Sequence, residues 1–188
     1  MEKVILASNS PRRKKILEDL GIDFDVIPSN YEENLETDVF SYDLIEDLAT
    51  QKACYVVRRI NINAIVLGAD TVVVLHNKIL GKPKDNDDAF RMLTDLSGQT
   101  HMVVTSLCGI NTKTNRAALL STTSYVKFKV LDEELINFYI NNYKPLDKAG
   151  SYGIQELPDG FLDKYEGSFE NIVGLDSGAV VAVLNKLK

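Results

Sequence analysis

Apolar residues recur along the chain with two periods, one typical of β-strands and one typical of α-helices. The longest apolar run, AIVLGADTVVVL over residues 64–75, predicts a buried strand. Because strand and helix patterns alternate along the chain, they predict an α/β fold in which helices flank a mixed sheet. Further strands are predicted over residues 4–7, 24–27, 102–110 and 121–130, and helices over residues 11–20, 42–57, 85–96 and 132–142.

Two further features predict how these elements are arranged. In the predicted strand around Thr122, apolar and charged residues alternate, so that one face is solvated, and this ribbon indicates two lobes around a central cleft. The glycine-rich segment from Lys144 to Gly174 is longer than an ordinary connection, which favours a functional loop. The length of 188 residues predicts a single domain over residues 1–188.

Composition and charge narrow the classes of function. The apolar fraction is 45% and the charged fraction 26%, which are ordinary values for a globular protein. The net charge of −6 argues against nucleic-acid binding but is compatible with a local basic cluster that binds a small anion. Since we find neither an apolar run of membrane-spanning length nor the segment order of a signal peptide, we expect a cytoplasmic protein without a membrane partner.

The cysteines and histidines do not indicate chemistry of their own. Cys54 and Cys108 each lie in an apolar stretch, which favours buried, reduced thiols. His76 and His101 are too few and too far apart along the chain to suggest a zinc site.

Asp70 breaks the apolar pattern of the longest predicted strand. A buried carboxylate must be paired, metal-bound or protonated, because an unpaired buried charge is very costly. Such groups occur preferentially at functional sites. The alternative is a structural aspartate that accepts backbone hydrogen bonds.

Lys52 breaks the apolar arc of the second predicted helix in the same way. Periodicity places it between Leu48 and Val56 on the face that should be buried. The pattern leaves two interpretations open. The ammonium either reaches water along an apolar stem or points into a cleft.

Arg12 and Arg13 follow Ser8, Ser10 and Pro11 at a predicted turn from strand to helix. Basic residues oppose the dipole at a helix N-terminus, and a bound anion would remove that conflict. Serine hydroxyls and guanidinium groups also suit phosphate oxygens. We therefore favour phosphate binding here over a merely solvated basic turn.

The remaining charges suit metal-assisted phosphoryl chemistry. Lys82 in the segment GKP supplies another cation, although no Walker A pattern surrounds it. Glu32 and Glu33 offer carboxylates to a hard divalent cation, for which Mg²⁺ and Mn²⁺ are equally suitable.

Seven segments of the sequence stand out as possible family motifs. They are ILASNSPRRKKIL from Ile5, KA at Lys52, LGADTVV from Leu67, GKP at Gly81, SGQTH at Ser97, LDKAGSYGIQ from Leu146 and EGSFENIVGL from Glu166. Together these segments resemble the Maf family, also called septum formation proteins, whose members are nucleoside triphosphate pyrophosphatases. They occur in the order of the family and span nearly the whole chain, and the combination of the SxSPRR, GADT and DKAGxYGIQ blocks is highly specific.

The resemblance implies a fold related to inosine triphosphate pyrophosphatases, a homodimer, and metal-dependent hydrolysis between the α- and β-phosphates of a nucleoside triphosphate. It implies that Asp70 is the catalytic proton acceptor and that Glu33 provides a carboxylate on the metal side. It also implies phosphate contacts from Ser8, Arg12, Arg13, Lys52 and Lys82, to which the helix-start argument adds Ser10.

The resemblance further implies a substrate preference. Arg12, Thr71 and Gln155 are similar to the branch that hydrolyses dTTP and UTP, rather than to the branch that prefers 7-methyl-GTP. The chain departs from the family at Glu156, where glycine is usual, and at Asp176, where proline is usual. The first departure changes the expected shape of the base pocket. A non-catalytic, nucleotide-binding regulator of cell division is the alternative function.

Overall fold

The computed structural model describes residues 2–31 and 38–188. Its strands are β1 Lys3–Leu6, β2 Phe24–Val26, β3 Ala64–Leu75, β4 Lys78–Leu80, β5 Thr100–Asn111, β6 Arg116–Phe128 and β7 Leu162–Glu166. Its α-helices are α1 Pro11–Asp19, α2 Tyr42–Val57, α3 Asn86–Leu96, α4 Glu133–Tyr143, α5 Phe169–Val173 and α6 Ser177–Leu187. Within the described residues, no helix is both long enough and apolar enough to span a membrane.

The seven strands form one mixed sheet, as the alternating pattern predicts. The strand order is β2-β1-β3-β5-β6-β7, and β4 pairs with β3. The strands β1 and β2 are parallel, as are β1 and β3. All other pairs are antiparallel, and the register of β3 with β5 places Asp70 opposite Ser106 and Thr71 opposite Thr105.

Buried apolar side chains pack on both sides of the middle of β3 and β5. Near the start of β3, one cluster contains residues of β1, α1 and α6 with Leu67 and Ala69, and a second contains residues of α2 with Val66. A third contains residues of α3 and α4 and includes Val73 and Leu75 of the same strand. The long strands therefore run through both lobes, and Asp70 and Thr71 lie between them.

The segment from Lys144 to Gly174, expected as a loop, contains regular structure. It holds three single turns of 3₁₀ helix, followed by β7 and α5. Four of the five residues of β7 are exposed, so the strand shows no apolar alternation, and it forms by pairing with β6. Within the expected functional loop, the longest stretch outside β-strands and α-helices is therefore residues 144–161.

Candidate active site

A cleft of about 740 Å³ opens between the two lobes. Its lining carries five cationic and three acidic side chains among the described residues, an excess of positive charge in a chain whose net charge is −6. Such a concentration of positive charge attracts a small anion. Of the residues singled out from the sequence, the lining includes Ser8, Ser10, Arg12, Arg13, Lys52, Asp70, Thr71, Lys82 and Gln155. Glu33 lies outside the described residues.

Asp70 and Lys52 form a buried ion pair in this cleft. The ammonium of Lys52 donates to Oδ1 of Asp70, and the two side chains are 15% and 8% exposed, respectively. Lys52 thus lies in the lining of the cleft, as one of the two interpretations of its sequence position expects, and its role toward substrate stays a prediction. The pairing also satisfies the requirement that a buried carboxylate have a partner.

Gly68 brings the two elements of this ion pair together. A Cβ at this position would lie 2.5 Å from both the carbonyl oxygen of Ala49 and the backbone nitrogen of Ala53. The backbone of α2 therefore approaches β3 more closely than any side chain would permit. Asp70 lies two residues farther along β3 and on the same face, so the neighbouring Lys52 reaches it.

The turn between β1 and α1 presents hydroxyl groups to the cleft. Ser10 caps α1, and its Oγ accepts from the backbone N–H of Arg13 at 3.4 Å. Oγ of Ser8 accepts from the backbone N–H of Ser10 at 3.2 Å and from Nη1 of Arg13 at 3.3 Å. Because both oxygens accept in these bonds, each hydroxyl proton can be donated to an anion.

The adjacent arginines have different surroundings. The guanidinium of Arg13 donates from Nε to the carbonyl of Gly174 at 2.9 Å, from Nη1 to that of Ala69 at 3.1 Å and from Nη2 to Oγ1 of Thr71 at 3.0 Å. Together with the bond to Ser8, at least four of its five N–H groups donate to the protein. These bonds tie α1 to β3 and to the end of α5, and the phosphate contact expected of Arg13 stays a prediction.

Thr71 takes part in a polar network beneath the cleft. Its Oγ1 lies 2.9 Å from Oγ1 of Thr105 and 3.2 Å from the carbonyl oxygen of Gly174, and Oγ1 of Thr105 lies 3.2 Å from the carbonyl oxygen of Asn171. The two hydroxyl protons are shared among these three contacts. The hydroxyl expected to contact substrate therefore also connects β3, β5 and α5.

Arg12, Lys82 and Gln155 line the cleft without hydrogen bonds from their side chains to other described residues. Lys82 and Gln155 are exposed, and Arg12 is half-buried. The backbone N–H of Gly150 donates to the carbonyl of Gly81 at 3.0 Å, which links the loop of Gln155 to that of Lys82. These three side chains are therefore available to a ligand.

A charged cluster that the sequence pattern does not reveal forms another part of the lining. Nζ of Lys148 lies 2.9 Å from Oδ1 of Asp147 and 3.1 Å from Oε2 of Glu156. Partial burial acts to raise the pKa of Asp147, but the hydrogen bond and charge of Lys148, with a contribution from Arg12, lower it overall. Lys148 is buried inside a segment without helix or strand periodicity, so only the DKAGxYGIQ block draws attention to it.

The donor set in the cleft fits a hard divalent cation that is held jointly with substrate. Within residues 2–31 and 38–188, no three His, Cys, Asp or Glu side chains converge on one point. Mg²⁺, however, is commonly bound by one or two carboxylates together with substrate phosphates. The carboxylate of Asp70, buried among the cations of the cleft, suits that mode.

Comparisons with known proteins identify the family of this chain. A family model described as Maf-like protein matches residues 3–187. A dTTP/UTP pyrophosphatase of Thermosipho africanus is 48% identical over 183 residues, covering 97% of this chain and 92% of that protein. A dTTP/UTP pyrophosphatase of Clostridium perfringens (strain SM101) is 46% identical over 176 residues, covering 92% of this chain and 91% of that protein.

A solved structure supports the fold. The HAM1 protein from Coxiella burnetii matches with a TM-score of 0.57 and 14% sequence identity, covering 99% of this chain and 100% of that chain. This likeness concerns the fold alone, and it confirms the expected α/β architecture. Because the family model spans nearly the whole chain and the relatives are more than 40% identical, the chain belongs to the Maf-like protein family.

Proposed function

We propose that this protein hydrolyses a nucleoside triphosphate, with dTTP and UTP preferred, to the nucleoside monophosphate and pyrophosphate. The observation that carries the proposal is the buried Asp70–Lys52 pair in a cleft lined by an excess of cations. Relatives that cover nearly the whole chain are dTTP/UTP pyrophosphatases, which supports the same conclusion.

The triphosphate binds at the turn between β1 and α1. The hydroxyls of Ser8 and Ser10 and the guanidinium of Arg12 donate to phosphate oxygens, and Lys82 approaches from the end of β4. The contribution of Arg13 is to fix the turn through its bonds to Ser8, Ala69 and Gly174. This arrangement provides both the charge and the preorganised donors that phosphoryl transfer requires.

Asp70 acts as the general base. A water oxygen attacks the α-phosphorus, Asp70 accepts the water proton, and the bond to the oxygen that bridges the α- and β-phosphates breaks to release pyrophosphate. The ammonium groups of Lys52 and Lys82 stabilise the negative charge that shifts toward the leaving group. A regulator that only binds nucleotides would not require this buried carboxylate.

A divalent cation, Mg²⁺ or Mn²⁺, completes the site. Asp70 would hold it together with substrate phosphate oxygens, and Glu33 is the second carboxylate proposed for it. When bound, the cation neutralises phosphate charge and polarises the phosphoryl group.

Base selection involves Gln155 and Thr71. Uracil and thymine present two carbonyl acceptors on either side of one N–H donor, and the amide of Gln155 can both donate and accept. Thr71 lines the same cleft and is connected to Gly174 and Thr105. A base with the wrong pattern leaves polar groups unpaired, which is costly in a desolvated pocket.

Pyrophosphate release from a panel of canonical and modified triphosphates, with and without excess chelator, tests the proposal. We expect one pyrophosphate per nucleotide, the highest kcat/KM for dTTP and UTP, and loss of activity in chelator. Release of orthophosphate with a diphosphate, or full activity in chelator, would contradict it. The homodimer stays a prediction that sedimentation equilibrium can test.

A further inference from the structure

Gln155 projects from a single turn of 3₁₀ helix, Ile154–Glu156. Its side chain is exposed and has no hydrogen bond to another described residue. The direction of the amide therefore depends on how firmly the backbone of this turn is held. A group that reads a base must be fixed in advance, because ordering it on binding costs affinity and selectivity.

An ion pair between Lys148 and Glu156 spans this turn. The side chain of Lys148 is only 8% exposed, and its Nζ lies 3.1 Å from Oε2 of Glu156, whose side chain is 43% exposed. One partner is desolvated, so solvent screens the pair less than it screens a pair on the surface.

The stem of Lys148 reaches Glu156 by passing directly over Gly153. A Cβ on Gly153 would lie 3.0 Å from Cε of Lys148 and 3.2 Å from Oε2 of Glu156. The backbone N–H of Gly153 donates to the hydroxyl of Tyr139 at 3.0 Å, and that of Glu156 donates to the carbonyl of Gly153 at 2.9 Å. The turn is thus held both by the hydrogen bond to Tyr139 and by the ion pair with Lys148.

The bonds of Lys148 argue against a direct role for this lysine in phosphate binding. Its ammonium is already paired with two carboxylates, those of Asp147 and Glu156. The charge of Arg12 also acts on Asp147, so the cations and carboxylates of this part of the lining balance one another.

We propose that Glu156 is a positioning residue for base selection. By pairing with Lys148, it fixes the turn that carries Gln155. The proposal rests on the proposed function, because it presupposes a nucleotide base beside Gln155. It predicts that loss of the pair reduces selectivity among bases, mainly through KM, rather than the rate of phosphoryl transfer.

The test compares Glu156→Gln and Glu156→Ala with Asp159→Asn, a matched control that removes an exposed carboxylate from the same loop. The ratio of kcat/KM for UTP to that for a purine triphosphate is measured for each. We expect this ratio to fall by about tenfold in Glu156→Ala and by less in Glu156→Gln, with the loss in KM. The control should retain the wild-type ratio.

A double-mutant cycle with Lys148→Gln identifies the partner. If the Lys148–Glu156 pair maintains selectivity, Lys148→Gln alone lowers the ratio of kcat/KM values. The double variant should then have a ratio close to that of Glu156→Gln alone. If Lys148→Gln does not fold, as thermal melting would reveal, the two Glu156 variants decide the matter alone.

The outcomes separate this inference from the proposed function. A wild-type protein that releases no pyrophosphate from any triphosphate overturns both. A selective wild-type protein whose Glu156 variants keep the wild-type ratio, or lose kcat equally for every base, overturns the positioning role alone.

Discussion

At the scale of single residues, the informative signal is a charge where the pattern requires an apolar side chain. Asp70 and Lys52 both break their local patterns, and the structure joins them in one buried pair. The sequence does not reveal that they are partners, because their meeting depends on the close approach of α2 to β3 at Gly68.

The first prediction concerns the carboxylate. Asp70→Asn keeps the shape of the side chain but removes the base, so we expect kcat to fall by roughly a hundredfold or more. Steady-state kinetics with UTP measures this. Asp87→Asn, on an exposed position of α3, is the control. Near-normal turnover by a folded Asp70→Asn protein would refute the assignment of the base.

The second prediction separates the two arginines. Arg13→Ala removes four hydrogen bonds to the protein, so we expect the free energy of unfolding without ligand to fall by about 2 kcal/mol or more. Arg12→Ala should change it by less than about 0.5 kcal/mol, because it breaks no such network, and should instead raise KM for the triphosphate.

Denaturant unfolding of both variants, alongside their KM values, checks this difference. Equal stability of the two variants would show that Arg13 does not hold the turn.

At the scale of elements, the sequence predicts most of what its own local pattern encodes. The bounds of α2 and β3 agree with the periodicity, because both elements bury a continuous stripe or a whole strand. In contrast, β7 and α5 are missed, since β7 has no buried face and α5 has only five residues. Both elements form because of tertiary contacts. The burial of Lys148 also depends on tertiary contacts, since no local pattern predicts it.

The third prediction concerns His101, through which β5 contacts the loop of the site. Its Nε2 lies 2.7 Å from the hydroxyl of Tyr152, and burial lowers the pKa of His101 to about 4. The folded state therefore favours the neutral ring. The contribution of His101 to the free energy of unfolding is fully present above the pKa of the unfolded state, about 6.5. This contribution is lost as the pH decreases toward 4, by about 3 kcal/mol in total.

We expect His101→Phe to be less stable at neutral pH, because Tyr152 loses its partner, but to show a flatter stability profile between pH 4 and 6.5. Chemical unfolding across this range measures the profile. His76→Asn, a change at an exposed turn residue with positive φ, should follow the wild-type curve. An unchanged slope in His101→Phe would contradict this account.

At the scale of the whole molecule, an acidic chain forms a cleft whose described lining has an excess of cationic side chains. The net charge is −6, yet the described lining of the cleft has more cationic than acidic side chains. Arg12, Lys82 and Gln155 line the same cleft as the Asp70–Lys52 pair. The global fold thus brings residues that are distant in the sequence into the cleft for which we propose triphosphate binding.

The bond that is cleaved tests the central claim most directly. Hydrolysis of UTP with Mg²⁺ in ¹⁸O-labelled water, followed by ³¹P NMR, identifies both the products and the phosphorus that receives the water oxygen. The account predicts equal amounts of UMP and pyrophosphate, with the label in UMP. Formation of UDP and orthophosphate, or label in the pyrophosphate, would contradict it.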